Sequence, residues 1–481
     1  MTPFLSQKSS RAAAAAQLPW GVSPRKVADL TRAAEPRSRD TDATLTITML
    51  CMRLSFCLAI LLSWAAPVIG TDQSPSLEQI LNQVSAAYAK LEPQSIRPAE
   101  GFIKYDYLIP AGYYKQMWDW DGFFIGCHLA QQSPEQAKYL KWWVLDFAGA
   151  IDQDGYVAGC ITTQGPRPLM GKFAMKPFLA QGAVIASERV GDYTWVKPVW
   201  ERLRKVLAYR EQTQYDATWG LFFWENAISS GADNNVALTN DPNEKSAILA
   251  TDLCTFQLRE YKAMAQLADK LGQPAEAAEY RNQADNLKAA MLQHMWFAQE
   301  AMFYNIRRDT GKPVKRISYS NFVPLIDDVL PEKSAQEMIR RYLWNKHYML
   351  APYGLRSLSK QDPDYNNVSM IVPYSNWQGP IWINANYLNY IALKRYGFDK
   401  EAAQLAGILG RMVVADIQKW GSMHENYNAD TGEGLAPTPE QSSNHIFAGF
   451  VGWNLLAQDM LQCEVKGQCE FLRMYGVKQK K

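Results

Sequence analysis

The sequence is poor in the residues that usually hold catalytic metals. Its 481 residues include five His and seven Cys, with no Cys-x-x-Cys pair and no clustered His/Cys spacing. A zinc site needs three or four such side chains within reach of one ion. A metal catalyst is therefore not expected.

Basic stripes and long apolar runs are also missing. Lys and Arg number 50 against 48 Asp and Glu, and no basic stripe is available to neutralise the phosphates of a nucleic acid. The apolar run at 54–64 is well short of the roughly 20 residues that span a bilayer. No stable membrane anchor is expected, although an anchor is the alternative interpretation of this run.

The amino-terminal part differs in composition from the remainder. Residues 1–48 combine an alanine run with scattered Arg and Ser and no apolar period, which predicts disorder or a misassigned start. In residues 49–70, Arg53 precedes the apolar run and small residues end at Gly70, which is the pattern of a signal peptide. We therefore predict a periplasmic or secreted protein with one domain, 71–481.

Five cysteines follow the predicted signal peptide, and an exported protein can form disulfides. Cys463 and Cys469, in the polar segment CEVKGQC, are the best local candidates for a pair. Because five is an odd number, at least one thiol stays free.

Amphipathic helical stretches recur from Ser76 onward, with little strand signal between them. Apolar residues return every three or four positions, most clearly on both sides of the break at Gly272 and Pro274. About eleven helices are predicted, at 76–91, 119–131, 134–150, 175–190, 193–213, 247–271, 275–296, 332–344, 379–396, 399–418 and 444–461.

Helical hairpins either stack as an open solenoid or close into a toroid. A solenoid should repeat itself at a fixed period of roughly 20 to 50 residues, and the sequence shows no such repeat. We therefore predict an all-α protein, an (α/α)6 barrel whose long loops gather at one end around a central funnel. A turn at 309–311 predicts a small β-hairpin on the rim.

Aromatic residues are abundant, with 16 Trp and 24 Tyr, and several stand beside carboxylates. In residues 113–130, Trp118, Asp119, Trp120 and Asp121 come directly before a predicted helix. A sugar offers apolar C–H faces and a rim of hydroxyls, so a flat ring next to acceptor oxygens suits it. Helix capping is the alternative role for either Asp.

Three further segments combine polar and aromatic side chains in loops. Asp233 lies in the polar loop ENAISSGADNN, where turn formation is the alternative role. Gly379 and Pro380 are predicted to open a helix at its first turn, and Glu425 precedes a glycine-containing turn, where a solvated surface glutamate is the alternative. Around Gly379 the candidates to line a pocket are Trp377, Gln378, Trp382 and Asn384, with core packing as the alternative for Trp382.

In chain order, MWDWDGFF, ENAISSGADNN, GLRSLS with NWQGPIWINANYL, and ENYNADTGEG resemble the motifs of the trehalase-like inverting glycosidases. The likeness is greatest to glycoside hydrolase family 63, with its processing α-glucosidases and mannosylglycerate-hydrolase-like enzymes, and runs from about residue 100 to 460. The resemblance implies an (α/α)6 barrel and an inverting, exo-acting α-glycoside hydrolase that needs no cofactor.

The resemblance also implies roles for single residues. Asp233, in a motif of the form SG-x-DN, corresponds to the general acid, and Glu425, which begins E-x-Y, to the general base. Trp120 and Asp121 match the pair that holds the nonreducing sugar. The other candidates for substrate contact lie in the same motifs: Phe123, Asn234, Trp377, Gln378, Gly379, Trp382 and Tyr427.

An inverting hydrolase holds its two carboxyl groups about 6.5–9.5 Å apart, with room for one water between them. We expect partial burial among aromatic rings to keep Asp233 protonated, and polar contacts to keep Glu425 ionised. Hydrogen bonds from Asp121 would hold the sugar ring in a distorted, reactive shape.

The sequence departs from its relatives at two places. They often carry Arg where this chain has Gln378, and a Gln-Pro-Pro segment where it has Met175, Lys176 and Pro177. The substrate therefore stays open among trehalose, kojibiose-like disaccharides and glycosylglycerates. The cations that would replace the missing arginine are Arg167, Lys172, Lys176 and Arg356.

Other functions stay open as well. Barrels of this kind also host sugar epimerases and β-acting glycosidases, and epimerases typically use His, of which His424 and His445 lie near a candidate motif. A non-catalytic periplasmic sugar-binding protein would need the aromatic lining but not two carboxylates.

Overall fold

The computed structural model describes residues 75–168, 173–238, 244–371, 375–442 and 444–478. These residues belong to one compact unit, Pro75–Lys481. The predicted disordered segment, the predicted signal peptide and Lys172 lie outside the described residues.

Helices account for most of the secondary structure. The α-helices in the described ranges are α1 (Leu77–Leu91), α2 (Asp119–Gln132), α3 (Ala137–Gly149), α4 (Leu179–Val190), α5 (Trp200–Gln214), α6 (Ala227–Ser230), α7 (Thr251–Lys270), α8 (Pro274–His294), α9 (Glu332–Met338), α10 (Ile383–Arg395), α11 (Asp399–Trp420), α12 (Leu456–Lys466) and α13 (Glu470–Met474). Short 3-10 helices span Glu92–Ser95, Thr194–Val199, Tyr319–Ile326, Pro439–Gln441 and Gly452–Leu455, and a π-helical turn spans Ile339–Leu343.

The helices form two concentric layers. The inner ring runs α2, α4, α7, the 3-10 helix Tyr319–Ile326, α10 and α12, each packed on the next, and α12 packs on α2 again. Outside this ring, α3 packs on α2 and α4, α8 on α7, and α11 on α10 and α12. The first helix, α1, packs on α11 and α12 near the end of the chain. The predicted (α/α)6 barrel is confirmed.

Apolar patterning explains which helix lies in which layer. The inner helices α2 and α10 are buried along almost their whole length, because they contact both the ring and the outer layer. The outer helix α1 is amphipathic, and its buried residues recur at helical spacing on one face. They are Ile80, Leu81, Val84, Tyr88 and Leu91.

The strands are two or three residues long and pair only antiparallel in the described part of the chain. The pairs are β1 (Ile96–Arg97) with β2 (Tyr107–Leu108), β3 (Met117–Trp118) with β4 (Cys160–Thr162), β4 with β5 (Gly165–Pro166), β6 (Tyr215–Asp216) with β7 (Leu221–Phe222), β8 (Ile248–Leu249) with β11 (Ile306–Arg307), β9 (Trp296–Phe297) with β10 (Met302–Phe303), β12 (Leu350–Ala351) with β13 (Gly354–Leu355), and β14 (Asn426–Tyr427) with β15 (Gly434–Ala436).

The turn predicted at 309–311 is present. Gly311 has a φ of 65° and donates its N–H to the carbonyl of Arg307 over 2.7 Å. Ile306 bridges Pro313 across this turn, and the strand before the turn, β11, pairs with β8. The predicted small hairpin is therefore present, and its first strand also pairs with a segment that is distant in the chain.

Several predicted helices begin later than expected, among them α4, α5, α7, α10 and α12. The backbone gives a specific reason for the last two. The helix predicted from 379 begins at Ile383, because Ile381 is extended and exchanges backbone hydrogen bonds of 2.8 and 3.0 Å with Tyr427. The helix predicted from 444 begins as α12, after Gly449 and Gly452, whose positive φ values of 73° and 36° interrupt helical geometry.

The predicted disulfide between Cys463 and Cys469 is confirmed, and it joins α12 to the start of α13. Cys127, Cys160 and Cys254 are free and buried. Within the described ranges, no helix is long and apolar enough to cross a membrane. The same residues contain no group of three or more His, Cys, Asp or Glu side chains that would hold a metal ion.

Candidate active site

Glu425 is a buried carboxylate held by two tyrosines. It directly precedes β14, and its backbone N–H donates to the carbonyl of Ala436 over 2.6 Å. The residue is only 3% exposed. The Tyr113 hydroxyl donates to Oε2 over 2.7 Å, and the Tyr114 hydroxyl donates to Oε1 over 3.2 Å. The solvated-glutamate alternative is therefore wrong.

Burial raises the pKa of Glu425 to about 7. The hydrogen bond from Tyr113 opposes this rise, the negative charge of Asp233 adds to it, and the hydrogen bond from Tyr114 opposes it. The expectation that polar contacts keep Glu425 ionised is therefore met only above about pH 7.

Asp233 is positioned by the short helix α6. The Asn226 side chain caps α6 by accepting from the Ser229 N–H, and Gly231 ends the helix with a φ of 83°. Oδ2 of Asp233 accepts from the Ser375 hydroxyl over 2.8 Å and from the Ser375 N–H over 3.1 Å. Burial raises the pKa of this carboxyl, although the two Ser375 hydrogen bonds oppose the rise. The direction agrees with an acid that holds its proton.

The charges of Asp233 and Glu425 influence the pKa of the same neighbouring tyrosine. The charge of Asp233 raises the pKa of Glu425. Burial, and then the charges of Glu425, Asp121 and Asp233, hold the pKa of Tyr114 well above its usual range, against an opposing hydrogen bond from Tyr113. The charges of three carboxyls from distant parts of the chain therefore act on one tyrosine hydroxyl, which donates to one of them, Glu425.

A short segment, residues 375–381, contacts both the Asp233 loop and the strand next to Glu425. The residue that binds Asp233, Ser375, begins a segment that continues through Trp377 to Ile381. Ile381 pairs through its backbone with Tyr427, two residues after Glu425. The segment 375–381 therefore connects the two candidate catalytic carboxyls.

Trp120 and Asp121 lie in the first turn of α2. The Trp120 ring centre lies 5.9 Å from that of Trp377 and 5.8 Å from that of Trp453, so it belongs to a group of indoles. Asp121 is 8% exposed. Burial, followed by the charges of Glu425 and Asp119, holds its pKa well above the usual range for an Asp.

The Trp377 ring packs between other aromatic rings. Its ring stacks on Trp382 with centres 4.1 Å apart and planes 8° apart, and Tyr319 lies 4.9 Å away. The indole N–H of Trp382 donates to the carbonyl of Asn376, and this hydrogen bond fixes the ring on which Trp377 stacks. The indole N–H of Trp377 is buried and lacks a hydrogen-bond partner among the described residues.

Other predicted substrate contacts are engaged with protein groups. Phe123 stacks on Phe178 with ring centres 4.6 Å apart. The Asn234 side chain accepts the backbone N–H of Trp377 over 2.6 Å. The Gln378 amide donates to the carbonyl of Asn234 over 3.2 Å and accepts from the Asn366 amide over 3.0 Å. These side chains support the residues around the carboxyls, and a contact with a sugar stays a prediction for them.

Gly379 and Tyr427 also have structural contacts. A Cβ added at Gly379 would lie 2.1 Å from the carbonyl oxygen of Asn366, so this position requires the absence of a side chain. The Tyr427 hydroxyl donates to Asp416 over 2.9 Å. Their direct contact with substrate likewise stays a prediction.

Two cations proposed to replace the missing arginine are already paired. The ammonium of Lys176 lies 3.2 Å from Asp119, and Arg356 lies 3.3 Å from Asp430 and donates to Tyr365 over 3.1 Å. Arg167 is exposed. The carboxylate of Asp119 accepts the Lys176 backbone N–H over 2.7 Å and the N–H of the adjacent Trp120. The N-cap position of α2 is Trp118 and no side chain caps the helix, so the capping alternative for Asp119 is wrong.

Three residues that contact the candidate acid or base were not identified from the sequence: Tyr113, Tyr114 and Ser375. Lys176 was named only as a replacement for the missing arginine, and its pairing with Asp119 was not predicted. The tyrosine doublet stands just before the Trp-Asp-Trp-Asp motif, and that proximity was the available signal. No local pattern indicates that Ser375 binds Asp233, because 142 positions separate them.

Two surface grooves, of about 420 and 410 Å³, contain neither carboxyl. They share Pro352 and Ile408 and lie along α11. The candidate catalytic residues lie instead among the buried aromatic rings, so the grooves are separate features.

Comparisons with known proteins place the chain in a family. The model of the mannosylglycerate hydrolase MGH1-like glycoside hydrolase domain matches residues 113–445, which include Tyr113, Asp233 and Glu425. The mannosylglycerate hydrolase of Rubrobacter radiotolerans is 26% identical over 176 residues, 37% of this chain and 37% of that protein. The mannosyl-oligosaccharide glucosidase GCS1 of Arabidopsis thaliana is 29% identical over 167 residues, 31% of this chain and 18% of that protein. The alignments thus span well under half the length of either relative.

Solved structures share the fold. The GH63 mannosylglycerate hydrolase from Thermus thermophilus in complex with glucose matches with a TM-score of 0.58 at 18% identity, over 79% of this chain and 99% of that one. Neutral trehalase Nth1 from Saccharomyces cerevisiae matches with a TM-score of 0.55 at 15% identity, over 76% of this chain and 75% of that one. Because the family model covers more than half of the sequence, the chain belongs to the mannosylglycerate hydrolase MGH1-like glycoside hydrolase family.

Proposed function

We propose that the protein is an inverting, exo-acting glycoside hydrolase for a small α-glucoside or α-mannoside. The observation that carries the proposal is that the segment 375–381 joins Asp233 to the strand next to Glu425, while hydroxyl groups hold each carboxyl: Ser375 binds Asp233 and Tyr113 binds Glu425. Two carboxyls in different surroundings supply the acid and the base of a glycosidase.

The reaction transfers two protons. Asp233 donates its proton to the glycosidic oxygen as the bond from that oxygen to the anomeric carbon breaks. Glu425 takes a proton from a water molecule, whose oxygen attacks the anomeric carbon from the opposite face. The water enters opposite the leaving group, so the product has the inverted anomeric configuration. Asp233 ends ionised and Glu425 protonated, and exchange with solvent restores both.

The aromatic residues and Asp121 form the part of the site that would bind the nonreducing sugar. Trp120 precedes Asp121 in the first turn of α2 and its ring lies against that of Trp377, whose indole N–H lacks a partner among the described residues and is a donor for a sugar oxygen. Buried polar groups normally have partners. A bound hydroxyl would therefore supply the hydrogen bond that this indole lacks.

An epimerase is less consistent with the histidines. The ring of His424 lies 2.8 Å from Asp416 and packs on Phe447 at 4.4 Å, so contacts with protein hold it in place.

The relatives named above point to mannosylglycerate and to glucosylated mannosyl-oligosaccharides as the first substrates to test. We also propose that the protein is exported by the signal peptide predicted at 49–70.

The first test is a panel of α-disaccharides and glycosylglycerates, followed by NMR to identify the anomer that is released. We expect hydrolysis of at least one α-glycoside with inverted product. Retained configuration would contradict the assignment, interconversion of sugars without hydrolysis would indicate an epimerase, and tight binding without turnover would indicate a binding protein.

The second test uses Asp233→Asn and Glu425→Gln. Loss of a general acid or base typically costs about 10²–10⁴-fold in rate, so we expect kcat to fall by at least that much in each variant. The exposed residues Asp154 and Glu337, changed to Asn and Gln, are matched controls with unchanged activity. A folded Asp233 or Glu425 variant with the native rate would refute the assignment.

A further inference from the structure

Lys176 is a buried cation next to the candidate active site. Its backbone N–H donates to Asp119 Oδ2 over 2.7 Å, and its ammonium lies 3.2 Å from Asp119 Oδ1. The residue is 9% exposed. Removing a charge from water is costly unless a partner offsets it, and Asp119 provides that partner.

The ammonium lies between the sugar-binding turn and the loop of the candidate acid. It stands 5.2 Å from the centre of the Trp120 ring. A Cβ added at Gly231, two residues before Asp233, would lie 2.8 Å from Cε of Lys176 and 3.2 Å from its Nζ. The lysine side chain therefore touches both segments that carry the proposed sugar-binding and acid carboxyls.

On the basis of the proposed function, we propose that Lys176 is a positioning residue that sets the charge state of the sugar pocket. Its ion pair with Asp119 holds the start of α2 against the Asp233 loop. Its positive charge acts on the two carboxyls that would meet the sugar hydroxyls and the glycosidic oxygen.

The charges around Lys176 support this role. Burial and the charges of Glu425 and Asp119 raise the pKa of Asp121, and the positive charge of Lys176 lowers it. It also lowers the pKa of Asp233, which burial raises. A second buried cation, Arg210 of α5, also interacts with Asp119, but its guanidinium donates to the carbonyl of Met175 and to the Gln214 side chain.

Removing this charge has two expected effects on the reaction. Without it, the pKa of Asp233 rises, so the acid keeps its proton to higher pH and the alkaline limb of the activity profile moves upward. Asp121 also holds its proton to higher pH and loses acceptor capacity, so KM rises. The acid limb depends on Glu425, for which Lys176 is not among the main influences, and should move less.

The test compares Lys176→Met, which keeps the length of the stem, with Lys176→Arg, which keeps the charge. Lys400→Met, at an exposed position of α11, is the control. In kcat/KM against pH, we expect the alkaline limb of the Met variant to move up by about half a pH unit or more. In the Lys176→Arg and Lys400→Met variants, the alkaline limb should stay at the wild-type pH. An unmoved limb in the Met variant, or an equal shift in the Arg variant, would overturn the proposal.

A second measurement does not depend on activity. The free energy of unfolding of wild type and of the Met variant is compared between pH 4 and pH 8. If Lys176 stabilises ionised carboxyls, the deficit of the variant grows as pH rises, whereas a purely structural role gives a constant deficit and overturns the proposal. Lys176→Gln serves if the Met variant does not fold. If the wild type hydrolyses no glycoside, the proposed function fails, and this series still decides the role of Lys176.

Discussion

Tyr113 donates its hydroxyl hydrogen to Glu425 over 2.7 Å, although 312 positions separate the two residues. The neighbouring Tyr114 donates to the other carboxylate oxygen over 3.2 Å. Two donors fix the orientation of the carboxylate and favour its ionised form. The tyrosine pair therefore both positions the proposed base and limits how far burial raises its pKa.

Replacing Tyr113 by Phe should make Glu425 a weaker acid. The lost hydrogen bond is the largest influence that lowers the pKa of Glu425, so that pKa should rise above about 7. We expect the acid limb of kcat/KM against pH to move to higher pH, with a smaller shift for Tyr114→Phe. The exposed Tyr105, changed to Phe, is the control. An unchanged acid limb in a folded Tyr113→Phe protein would argue against Glu425 as the base.

The stability of Glu425→Gln relative to wild type should depend on pH. The folded pKa of about 7 lies above the ordinary value of 4.5, so the wild type is most stable, as far as this group is concerned, below about pH 4.5 and loses that stability as pH rises through 7. Each tenfold change in an ionisation constant corresponds to about 1.4 kcal/mol, so the variant should gain up to roughly 3 kcal/mol relative to wild type between pH 4 and pH 9.

Urea unfolding at several pH values measures this gain. Glu337→Gln, at an exposed position, should show no comparable trend. A constant difference between Glu425→Gln and wild type across this pH range would mean that the carboxyl is not buried as described.

Asp416 should affect the catalytic rate through the residues that it holds on either side of Glu425. It accepts the His424 N–H over 2.7 Å, lies 2.8 Å from Nδ1 of the His424 ring, and accepts the Tyr427 hydroxyl over 2.9 Å. These residues flank Glu425 in the chain. We expect Asp416→Asn to lower kcat by about tenfold or more with little change in KM, because small displacements of a catalytic group are costly.

Asp399→Asn, on the same helix but exposed, is the control for Asp416. A change confined to KM would indicate that Asp416 supports sugar binding and not the base. Circular dichroism of the variant should match that of the wild type, since the prediction concerns local geometry.

His128 should contribute stability that disappears at alkaline pH. Burial disfavours its charged form, but attraction to Asp459 and hydrogen bonds to Asp459 and Glu92 outweigh this and raise the pKa of His128 to about 9. The stabilisation is therefore complete below the ordinary pKa of about 6.5 and is lost as pH rises through 9. The deficit in unfolding free energy of His128→Gln relative to wild type should shrink between pH 6 and pH 10.

The exposed His347, changed to Gln, provides the comparison for His128. If the deficit of His128→Gln stayed constant over this interval, the imidazole would be neutral in the folded protein and its contacts would act only as ordinary hydrogen bonds.

Local features of the molecule could be predicted from the sequence. The apolar periodicity of 76–91 indicated a helix that the structure contains almost unchanged, because this periodicity reflects a helix face next to the core. The helix predicted at 119–131 is present as α2, which is buried on nearly all sides. The disulfide between Cys463 and Cys469 was predictable because the two residues are six positions apart. Asp233 and Glu425 became candidates through the family motifs around them, and their catalytic roles stay predictions.

Contacts between distant segments could not be predicted in the same way. The pairs Tyr113 with Glu425, Ser375 with Asp233 and Lys176 with Asp119 are 312, 142 and 57 positions apart. The same applies to the start of α10, where pairing of Ile381 with Tyr427 prevents the earlier helical turn that Gly379 and Pro380 suggested.

The sequence by itself determined most of the helices and the closed barrel that they favour, since these depend on local pattern, and its resemblance to a known family supplied the two carboxyls proposed for catalysis. Only the tertiary structure decided which groups surround those carboxyls and how burial changes their pKa. Both depend on the closed ring of helices, which brings remote segments together and buries the side chains that meet there.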